Sequence, residues 1–527
     1  MKNLRIILIY LLIFLFSTVI IARLIYLQIL KGDFYKALSQ GLHNSFNKEL
    51  VERGEVFFRN GEKLAVNVSL PFLRVNSKKI KNIDEASKIL SQILNLDENF
   101  ISEKLKSESP YLVIKRKLNQ QEVEALKKIN LDGVFIEEER TRYYPQEKLA
   151  SKVIGFVNSD GKGQYGLEEY YNEILESGQS IYLTLDYNLQ FKAEKLLEKA
   201  KENLAIEAGQ IVVIDPNSGE VLALADFPSF NPNEYQKEKD FEIFKNGATQ
   251  KLFEPGSIFK PITIAAALEE KKIEPETTYI DEGIVKIGGW KIYNYENKVW
   301  GKRTMTEVLE WSINTGAIFA EKQLGHLLFL KYLEKFGIFE KTGIDLPEIY
   351  SENREFKNGY EINFATASFG QGIEITPLQT VRAISAITNG GKLIRPHLVL
   401  MREKEEAPSE IISKETVSKL TKMLVSVVEN GYGKRARVPG YFIAGKTGTS
   451  QMPFSSFGIQ KSGYSEKTWQ SFIGWFPAFN PQFLLLVKLD NPRAKVAGAS
   501  TTLIAKELIE YLISYYQIPP DYEISNE

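Results

Sequence analysis

The most apolar part of the chain lies at its N-terminus. Residues 6–22 form an uncharged and mostly apolar run, which residues 24–30 continue after one arginine. This length is enough to span a bilayer, and two basic residues ahead of it favour a cytoplasmic N-terminus. A cleaved signal peptide is the alternative, but no small-x-small site follows within a few residues. The pattern predicts a cytoplasmic tip and single-pass anchor over residues 1–30, with residues 32–527 outside the cytoplasm.

Charged positions alternate with short apolar segments in the next part of the chain. Alternation over residues 111–115 and 134–138 predicts strands, whereas apolar spacing of three and four over residues 84–94 and 120–129 predicts helices. We therefore expect a separate, non-catalytic module over residues 31–205.

A long amphipathic helix is predicted at the end of this module. Asp186 stands where an N-cap is expected, because apolar positions at helical spacing follow it. These positions are Leu189, Ala193, Leu196, Leu197 and Ala200. We expect this helix to connect two domains.

The pattern changes to a second module near residue 206. Residues 209–215 and 220–225 flank a turn at 216–219 and predict a β-hairpin. Further strands are predicted over residues 441–447, 471–475 and 483–489, and a closing helix over residues 501–516. Because strand pairs at both ends flank a helical middle, we expect an α+β domain whose sheet joins its two ends. Its expected range is 206–517, followed by a tail over 518–527.

Two helices in this middle region have informative sequences. The helix that begins at Ser257 is apolar nearly all round, which predicts that it is buried. Thr376 and Gln379 form a capping box with Pro377 at the first helical position, which predicts a helix start.

Composition excludes several classes of function. The chain has 527 residues, 66 basic and 67 acidic, so its net charge of −1 offers no electrostatic footprint for nucleic acid. It has no cysteine and three scattered histidines. We therefore expect no disulfide, no metal site and no cofactor.

Three short patterns in fixed order carry the candidate chemistry. They are Ser257-Ile258-Phe259-Lys260, Ser312-Ile313-Asn314 and Lys446-Thr447-Gly448. Each pattern alone is weak, because each also occurs elsewhere in the chain. The other matches are Ser45…Lys48, Ser159…Lys162, Ser229…Asn231, Ser351…Asn353, Lys341-Thr342-Gly343 and Lys461-Ser462-Gly463.

Local context favours the first set. On a helix, Ser257 and Lys260 project from the same face, and the apolar surroundings leave the lysine few routes to solvent. Burial and a second cation, which Lys446 can supply, would lower the pKa of the amine so that it acts as a base. The structural alternative for a serine and lysine at this spacing is an exposed pair on a helix surface, and for Ser312 to Asn314 it is a simple turn.

These patterns, in this order, resemble the penicillin-recognising serine enzymes. The flanking sequences are similar to the class B penicillin-binding proteins, which are monofunctional peptidoglycan transpeptidases. These flanks are Phe253-Glu254-Pro255-Gly256-Ser257, Phe369-Gly370-Gln371-Gly372, Thr376-Pro377-Leu378-Gln379 and Gly445-Lys446-Thr447-Gly448-Thr449.

The first module resembles the pedestal domain of the same family. The similar motifs are Arg53-Gly54, Arg59-Asn60-Gly61, Arg142-Tyr143-Tyr144-Pro145, Gly166-Leu167-Glu168 and Leu183-Thr184-Leu185-Asp186. Two residues depart from the family pattern: Phe58 replaces a usual aspartate, and Lys152 replaces a histidine or asparagine. The resemblance implies an elongated α+β pedestal, which is dimerisation-like, followed by a β-lactamase-like transpeptidase domain with an antiparallel sheet flanked by helices.

The resemblance also implies residue roles. Ser257 would be the acylated nucleophile, Lys260 its base, and Ser312 the relay to the leaving amine. The substrate would be a D-alanyl-D-alanine stem peptide, and β-lactams would be covalent inhibitors. The expected substrate-binding residues are Asn314, Lys446, Thr447, Gly448 and Thr449, with backbone amides of Ser257 and Thr449 as the oxyanion hole.

Several functional alternatives stay open at this point. Tyr464, the run 471–477 and the run 489–492 look more like the cell-division (penicillin-binding protein 3) type than the elongation (penicillin-binding protein 2) type. A β-lactam sensor or hydrolase on the same fold, and a catalytically silent scaffold of the wall-synthesis complex, are the other candidates. The resemblance further implies a SEDS-family membrane glycosyltransferase as partner.

Overall fold

The computed structural model describes residues 52–107, 109–129, 131–400 and 409–523. The predicted anchor over residues 1–30 lies outside these ranges. Within them, no helix is both long enough and apolar enough to cross a membrane.

The first module contains short helices packed on a small, mostly antiparallel sheet, together with a separate pair of short strands. Its strands are β1 (Val56–Phe57), β2 (Lys63–Val75), β3 (Leu112–Lys115), β4 (Val134–Tyr143), β5 (Phe156–Val157), β6 (Gly163–Gln164) and β7 (Ile181–Tyr182). Its helices are α1 (Ile83–Leu94), α2 (Glu98–Leu105), α3 (Gln120–Lys128), α4 (Ser151–Ile154), α5 (Gly166–Tyr170) and α6 (Asn172–Glu176). The predicted helices and strands of this module are therefore confirmed.

Strand β2 organises the sheet of this module. It pairs antiparallel with β1, β3 and β4, and β7 pairs parallel with β1. Strands β5 and β6 pair only with each other. Strand β4 continues five residues past the predicted end at 138, because it pairs with β2 as far as Tyr143. Helices α1 to α3 cover the far end of this sheet and share a small apolar core with it.

Three sequence motifs of the first module meet at one buried carboxylate. Glu168 is fully buried and accepts hydrogen bonds from Nε of Arg53 at 2.7 Å and Nε of Arg142 at 2.7 Å. The hydroxyl of Tyr144 donates to it at 3.3 Å. Because a buried carboxylate needs such partners, these distant segments are held together at one point.

Helices outnumber strands in the middle of the second module, and strands lie at both of its ends. The expected connector helix, α7 (Tyr187–Leu204), precedes the expected boundary at 206 but packs against the sheet of this module. The other helices are α8 (Gly247–Gln250), α9 (Lys260–Glu269), α10 (Met305–Glu310), α11 (Asn314–Leu324), α12 (His326–Lys335), α13 (Arg354–Lys357), α14 (Glu361–Ala367), α15 (Pro377–Thr388), α16 (Lys414–Glu429) and α17 (Thr501–Tyr516). Its strands are β8 (Ala208–Ile214), β9 (Val221–Phe227), β10 (Thr278–Asp281), β11 (Ile284–Ile287), β12 (Trp290–Tyr293), β13 (Gly301–Thr304), β14 (Ala444–Pro453), β15 (Tyr464–Phe476) and β16 (Phe483–Asp490).

The main sheet joins the two ends of this module, as predicted. Its antiparallel order is β14-β15-β16-β8-β9, so that the hairpin β8–β9 pairs with β16 near the C-terminus. Helices α7 and α17 share an apolar core with one face, and α9 and α15 belong to the core on the other face. The α+β class is therefore confirmed.

Local signals placed two helix starts correctly. The side chain of Asp186 accepts a hydrogen bond from the amide of Leu189 and caps α7. Thr376 and Gln379 form the expected capping box at the start of α15. Both motifs act within four residues, which is why the sequence alone predicts them.

The strand predicted over residues 441–447 begins later than expected. Strand β14 starts at Ala444, where pairing with Trp475 begins, and it continues to Pro453. The preceding residues are held by the C-terminal segment instead, since the amide of Phe442 donates to the carboxylate of Asp521 at 2.8 Å. Lys446, Thr447 and Gly448 therefore lie at the start of the strand and not at its end.

The two residues that depart from the family pattern are both buried. Phe58 is fully buried and packs edge-on against Tyr187, with ring centroids 5.4 Å apart. Lys152 places its Nζ 3.3 Å from a carboxylate oxygen of Asp226 on β9. From Asp226 the polar contacts continue through Gln210 to Lys488, at 3.0 Å for each step. A buried polar row thus links the first module to the main sheet.

Replacing Lys152 with methionine is expected to lower the free energy of unfolding by about 3 kcal/mol, because it leaves the buried carboxylate of Asp226 without its cation. Chemical denaturation of the full-length protein measures this change. Lys148→Met removes an exposed lysine nearby and is the matched control. An effect no larger than that of the control would show that the ion pair does not stabilise the junction.

Candidate active site

Ser257 lies at the start of a buried helix. Residues Gly256–Phe259 form one 3-10 turn that leads directly into α9, and α9 is buried from Lys260 to Leu268. Gly256 has φ +58°, and its amide donates to the carbonyl of Gly370 at 2.9 Å. The glycine-containing loop at 369–372 thus supports the turn that presents Ser257. The first amides of a helix have no partner within the helix, so they are available to an oxyanion.

The amine of Lys260 is surrounded by oxygen atoms. Its Nζ lies 2.5 Å from the carbonyl of Ser312, 2.9 Å from Oδ1 of Asn314 and 3.1 Å from Oγ of Ser257. A neutral amine has two N–H groups and one lone pair. Because the carbonyl and amide oxygens can only accept, they take the two N–H groups, which directs the lone pair toward the serine hydroxyls.

The hydroxyl of Ser312 connects the two lysines. Its Oγ is 3.2 Å from Nζ of Lys260 and 2.9 Å from Nζ of Lys446. Ser312 has φ +55°, a left-handed conformation that is strained for a residue with a side chain. Ser257, Lys260, Ser312 and Lys446 therefore form one continuous chain of contacts.

Burial changes the acidity of both lysines. Desolvation, and after it the positive charge of Lys446, hold the pKa of Lys260 well below its usual value. Desolvation lowers the pKa of Lys446 to about 7. Both side chains are fully buried, which explains the dominance of desolvation. A neutral amine beside the Ser257 hydroxyl is therefore accessible at neutral pH.

Strand β14 forms one wall of the site. It is the edge strand of the main sheet among the described residues, and Thr447 and Thr449 line the cleft beside it. Gly448 is buried instead, and a Cβ there would lie 2.6 Å from Oγ of Ser471 and 3.0 Å from Cγ2 of Ile258. The glycine therefore allows the strand to approach the nucleophile helix closely. An edge strand also offers backbone groups to an extended peptide.

The site opens into a cleft of about 780 Å³. Ser257, Ser312 and Asn314 line it together with β14. The sequence did not predict its second wall, which consists of Tyr293, Tyr295, Trp311 and Tyr432. These aromatic residues are scattered through the chain without a common spacing, so only the fold brings them together. Among the described residues, no group of three or more acidic, histidine or cysteine side chains is arranged to hold a metal ion.

The other matches to the three patterns lie elsewhere. Ser159 and Lys162 flank an exposed turn, and Lys341 and Lys461 lie in segments outside the helices and strands. None of the alternative matches among the described residues lines the cleft. Ser45 and Lys48 lie outside the described residues.

Glu254 is a buried carboxylate that the sequence did not single out. The hydroxyl of Tyr464 donates to it at 3.1 Å, and the hydroxyl of Ser450 donates to its backbone carbonyl at 2.7 Å. Desolvation raises the pKa of Glu254 to about 7. The residue thus ties the loop ahead of Ser257 to β14 and β15. The sequence feature that could have pointed to Glu254 is a single charged residue between Phe253 and Pro255.

Family models match both modules. The model of the penicillin-binding protein transpeptidase domain matches residues 209–510, and that of the penicillin-binding protein dimerisation domain matches residues 48–188. The chain belongs to the class B penicillin-binding proteins. The family resemblance predicted from the motifs and their flanks is therefore confirmed.

Individual relatives are similar over nearly the whole chain. Stage V sporulation protein D of Bacillus subtilis is 31% identical, over 92% of this chain and 81% of the relative. A peptidoglycan D,D-transpeptidase FtsI homolog of Mesostigma viride is 28% identical, over 98% and 96%. The crystal structure of penicillin-binding protein 3 from Mycobacterium tuberculosis with aztreonam shares the fold, with a TM-score of 0.70, 24% identity and coverage of 90% and 98%.

Proposed function

We propose that this peptidoglycan D,D-transpeptidase works through an acyl-enzyme on Ser257 and serves septal wall synthesis in cell division. The observation that carries the mechanism is the chain of contacts from Ser257 through Lys260 and Ser312 to Lys446. A hydroxyl, a neutral amine and a relay stand at hydrogen-bond distance on the floor of one cleft.

In the acylation step, Oγ of Ser257 attacks the carbonyl carbon between the two D-alanines of a stem peptide. Neutral Lys260 accepts the hydroxyl proton, and Ser312 passes a proton to the nitrogen of the departing D-alanine while Lys446 replaces it. The proton on Lys260 then returns through Oγ of Ser312 to Lys446, so that Lys260 is neutral again in the acyl-enzyme. The backbone amides of Ser257 and Thr449 stabilise the oxyanion. D-Alanine then leaves, and the rest of the peptide stays as an ester on Ser257.

The donor peptide binds as an added strand beside β14. Its backbone pairs with the edge that carries Thr447 and Thr449, while the side-chain amide of Asn314 binds the peptide from the opposite side. Gly448 keeps this strand close to the nucleophile helix. β-Lactams enter the same place, because their strained amide occupies the position of the scissile bond.

Mass spectrometry of the full-length protein after penicillin treatment tests this mechanism. The expected result is one long-lived adduct on the peptide that contains Ser257. Rapid turnover of penicillin would favour a β-lactam hydrolase. No adduct at all would favour a silent scaffold.

The cellular setting follows from the family resemblance and the apolar N-terminus. The chain is a single-pass protein of the cytoplasmic membrane, with residues 31–205 as an extracytoplasmic pedestal and 206–517 as the transpeptidase domain. Its partner is a SEDS-family glycosyltransferase that supplies nascent glycan strands. Depletion of the protein should produce filaments in which septa fail to close, whereas rounded cells would indicate an elongation role.

A second candidate role is synthesis of the spore wall. It is favoured by one observation, the 31% identity to a relative named for stage V of sporulation. Depletion during vegetative growth separates the two roles, since a sporulation enzyme would leave division unchanged.

Replacing Lys446 with methionine is expected to shift the acid side of the pH–rate profile for acylation to higher pH. Below about pH 7 the charged Lys446 disfavours protonation of Lys260. Removing Lys446 therefore raises the pKa of Lys260. Lys260 then becomes protonated, and stops acting as a base, at a higher pH. The overall rate should also fall by roughly 10²-fold, because Ser312 loses its partner. Acylation by a fluorescent penicillin between pH 5 and 10 measures both effects. Lys461→Met is the matched control, and an unshifted profile would remove Lys446 from this role.

A further inference from the structure

One end of the cleft contains an aromatic corner beside a carboxylate. The rings of Trp311 and Tyr432 are perpendicular, with centroids 5.5 Å apart, and Trp300 stacks on Trp311 at 5.6 Å. Glu296 also lines the cleft and pairs with Nζ of Lys298 at 3.2 Å, and Lys298 is hydrogen-bonded to the side chain of Tyr432 as well. Aromatic faces and a carboxylate together attract a cation.

This corner lies next to the relay hydroxyl. Trp311 immediately precedes Ser312, and the amide of Tyr432 donates to the carbonyl of Glu310 at 3.0 Å, which fixes the corner to the same helix end. In a transfer reaction the acceptor amine must enter where the leaving amine departs, because both steps use the same transition-state geometry. The leaving amine departs at Ser312, so this corner borders the path of the acceptor.

We propose that Trp311, Tyr432 and Glu296 form the acceptor subsite, which binds a primary ammonium on an aliphatic side chain of a second stem peptide. This proposal rests on the acyl-enzyme function proposed above. The aromatic faces pack against the aliphatic chain and attract the cation, while Glu296 draws the ammonium into the cleft. Lys298 competes with the ammonium for Glu296 and limits acceptor binding.

In the transfer step, the acceptor amine replaces Oγ of Ser257 on the acyl carbon. The bound ammonium loses one proton to water beside Glu296, and the neutral amine attacks the ester carbonyl carbon on Ser257. The new N–C bond forms as the C–Oγ bond breaks. The second amine proton passes to neutral Lys260 and from there to Oγ of Ser257, which restores the hydroxyl. The products are an amide cross-link, the free enzyme and one released proton.

The test measures how one acyl-enzyme divides between two products. The full-length protein in detergent receives an acyl-D-alanyl thioester as donor and Nα-acetyl-lysine amide as acceptor, and the ratio of aminolysis to hydrolysis is determined. Because both products come from the same acyl-enzyme, this ratio is independent of the acylation rate. Trp311→Leu is expected to lower it about three- to fivefold, whereas Trp311→Phe keeps most of it.

The charged residues give opposite expectations. Glu296→Gln should lower the ratio about threefold at low salt and much less at high salt, while Lys298→Met should raise it. Trp290→Leu and Glu276→Gln are matched controls, because both residues are exposed and do not line the cleft. Their ratios should equal that of the unchanged protein.

Distinct results overturn the two proposals. If an adduct forms on Ser257 but the Trp311 and Glu296 variants keep the ratio of the unchanged protein, the acceptor subsite is wrong. The same conclusion follows if the lysine derivative gives no aminolysis product. If no acyl-enzyme forms on Ser257 at all, the proposed function fails, and the acceptor subsite fails with it. Should Trp311→Leu not fold, Glu296→Gln and Lys298→Met decide, since both residues are exposed.

Discussion

Replacing Ser257 with alanine is expected to abolish the covalent penicillin adduct. The hydroxyl is the group that Lys260 can deprotonate, since Nζ lies 3.1 Å from Oγ and has its N–H groups directed at Ser312 and Asn314. Removing Oγ leaves the base without a nucleophile, and the loss should be complete within the detection limit. Intact-mass measurement and gel detection of a fluorescent penicillin both report it.

The control for this substitution is Ser159→Ala, which alters the serine of another Ser-x-x-Lys match in an exposed turn. That variant should keep the full adduct. Ser257→Ala should also keep the thermal midpoint of the unchanged protein within about 1 °C, because a small hydroxyl is lost from a partly exposed position. An adduct retained by Ser257→Ala would assign the nucleophile to another residue, and Ser312, whose hydroxyl also contacts Lys260, would be the next to examine.

Arginine in place of Lys260 is expected to reduce acylation by at least about 10³-fold. A guanidinium stays protonated in proteins, so it keeps the positive charge but cannot accept the proton of Ser257. General-base catalysis contributes about 10² to 10⁴ in rate, and the larger side chain also displaces the contacts with Ser312 and Asn314. Stopped-flow or gel-based acylation kinetics measure the loss.

This substitution distinguishes a general-base role of Lys260 from a purely electrostatic role. If Lys260 served only as a cation, arginine would preserve much of the rate. Lys341→Arg is the matched control, because it changes an exposed lysine of an unused Lys-Thr-Gly match. Near-normal acylation by Lys260→Arg at neutral pH would exclude the general-base role.

Buried polar contacts between distant segments of the chain were not predictable from local patterns. Lys152 looked like a simple departure from a family motif, yet it forms an ion pair with Asp226, which lies 74 positions later. Glu168 likewise gathers arginines from two distant segments. Such contacts depend on which polar groups become buried away from water. The hydrophobic periodicity of the sequence does not predict that burial.

The start of β14 is a second feature that local sequence patterns did not predict correctly. The apolar residues before Ala444 predicted an earlier start of β14, because a short apolar run by itself favours a strand there. The structure pairs Tyr441 and Phe442 with the C-terminal segment through a side-chain hydroxyl and a backbone amide. A long-range competitor therefore decided the boundary, and Lys446 moved from a strand end to a strand start.

The sequence by itself determined the elements and the candidate chemistry. Helix periodicity, N-caps at Asp186 and Thr376 and the strand pairs at the two ends act over short distances, so they specify an α+β domain before any tertiary contact is known. Motif order and flanking sequence likewise predicted which serine and lysines to examine.

Only the tertiary structure decided which of the repeated patterns meet and how acidic their lysines are. The low pKa values of Lys260 and Lys446 come from burial by many distant residues. The aromatic wall beside Trp311 arises in the same way. The left-handed backbone of Ser312 is a local feature by contrast, because hydrogen bonds from the amides of Ser312 and Ile313 to the last turn of α10 hold it. Local interactions select secondary structure, whereas desolvation and the approach of distant segments create the site.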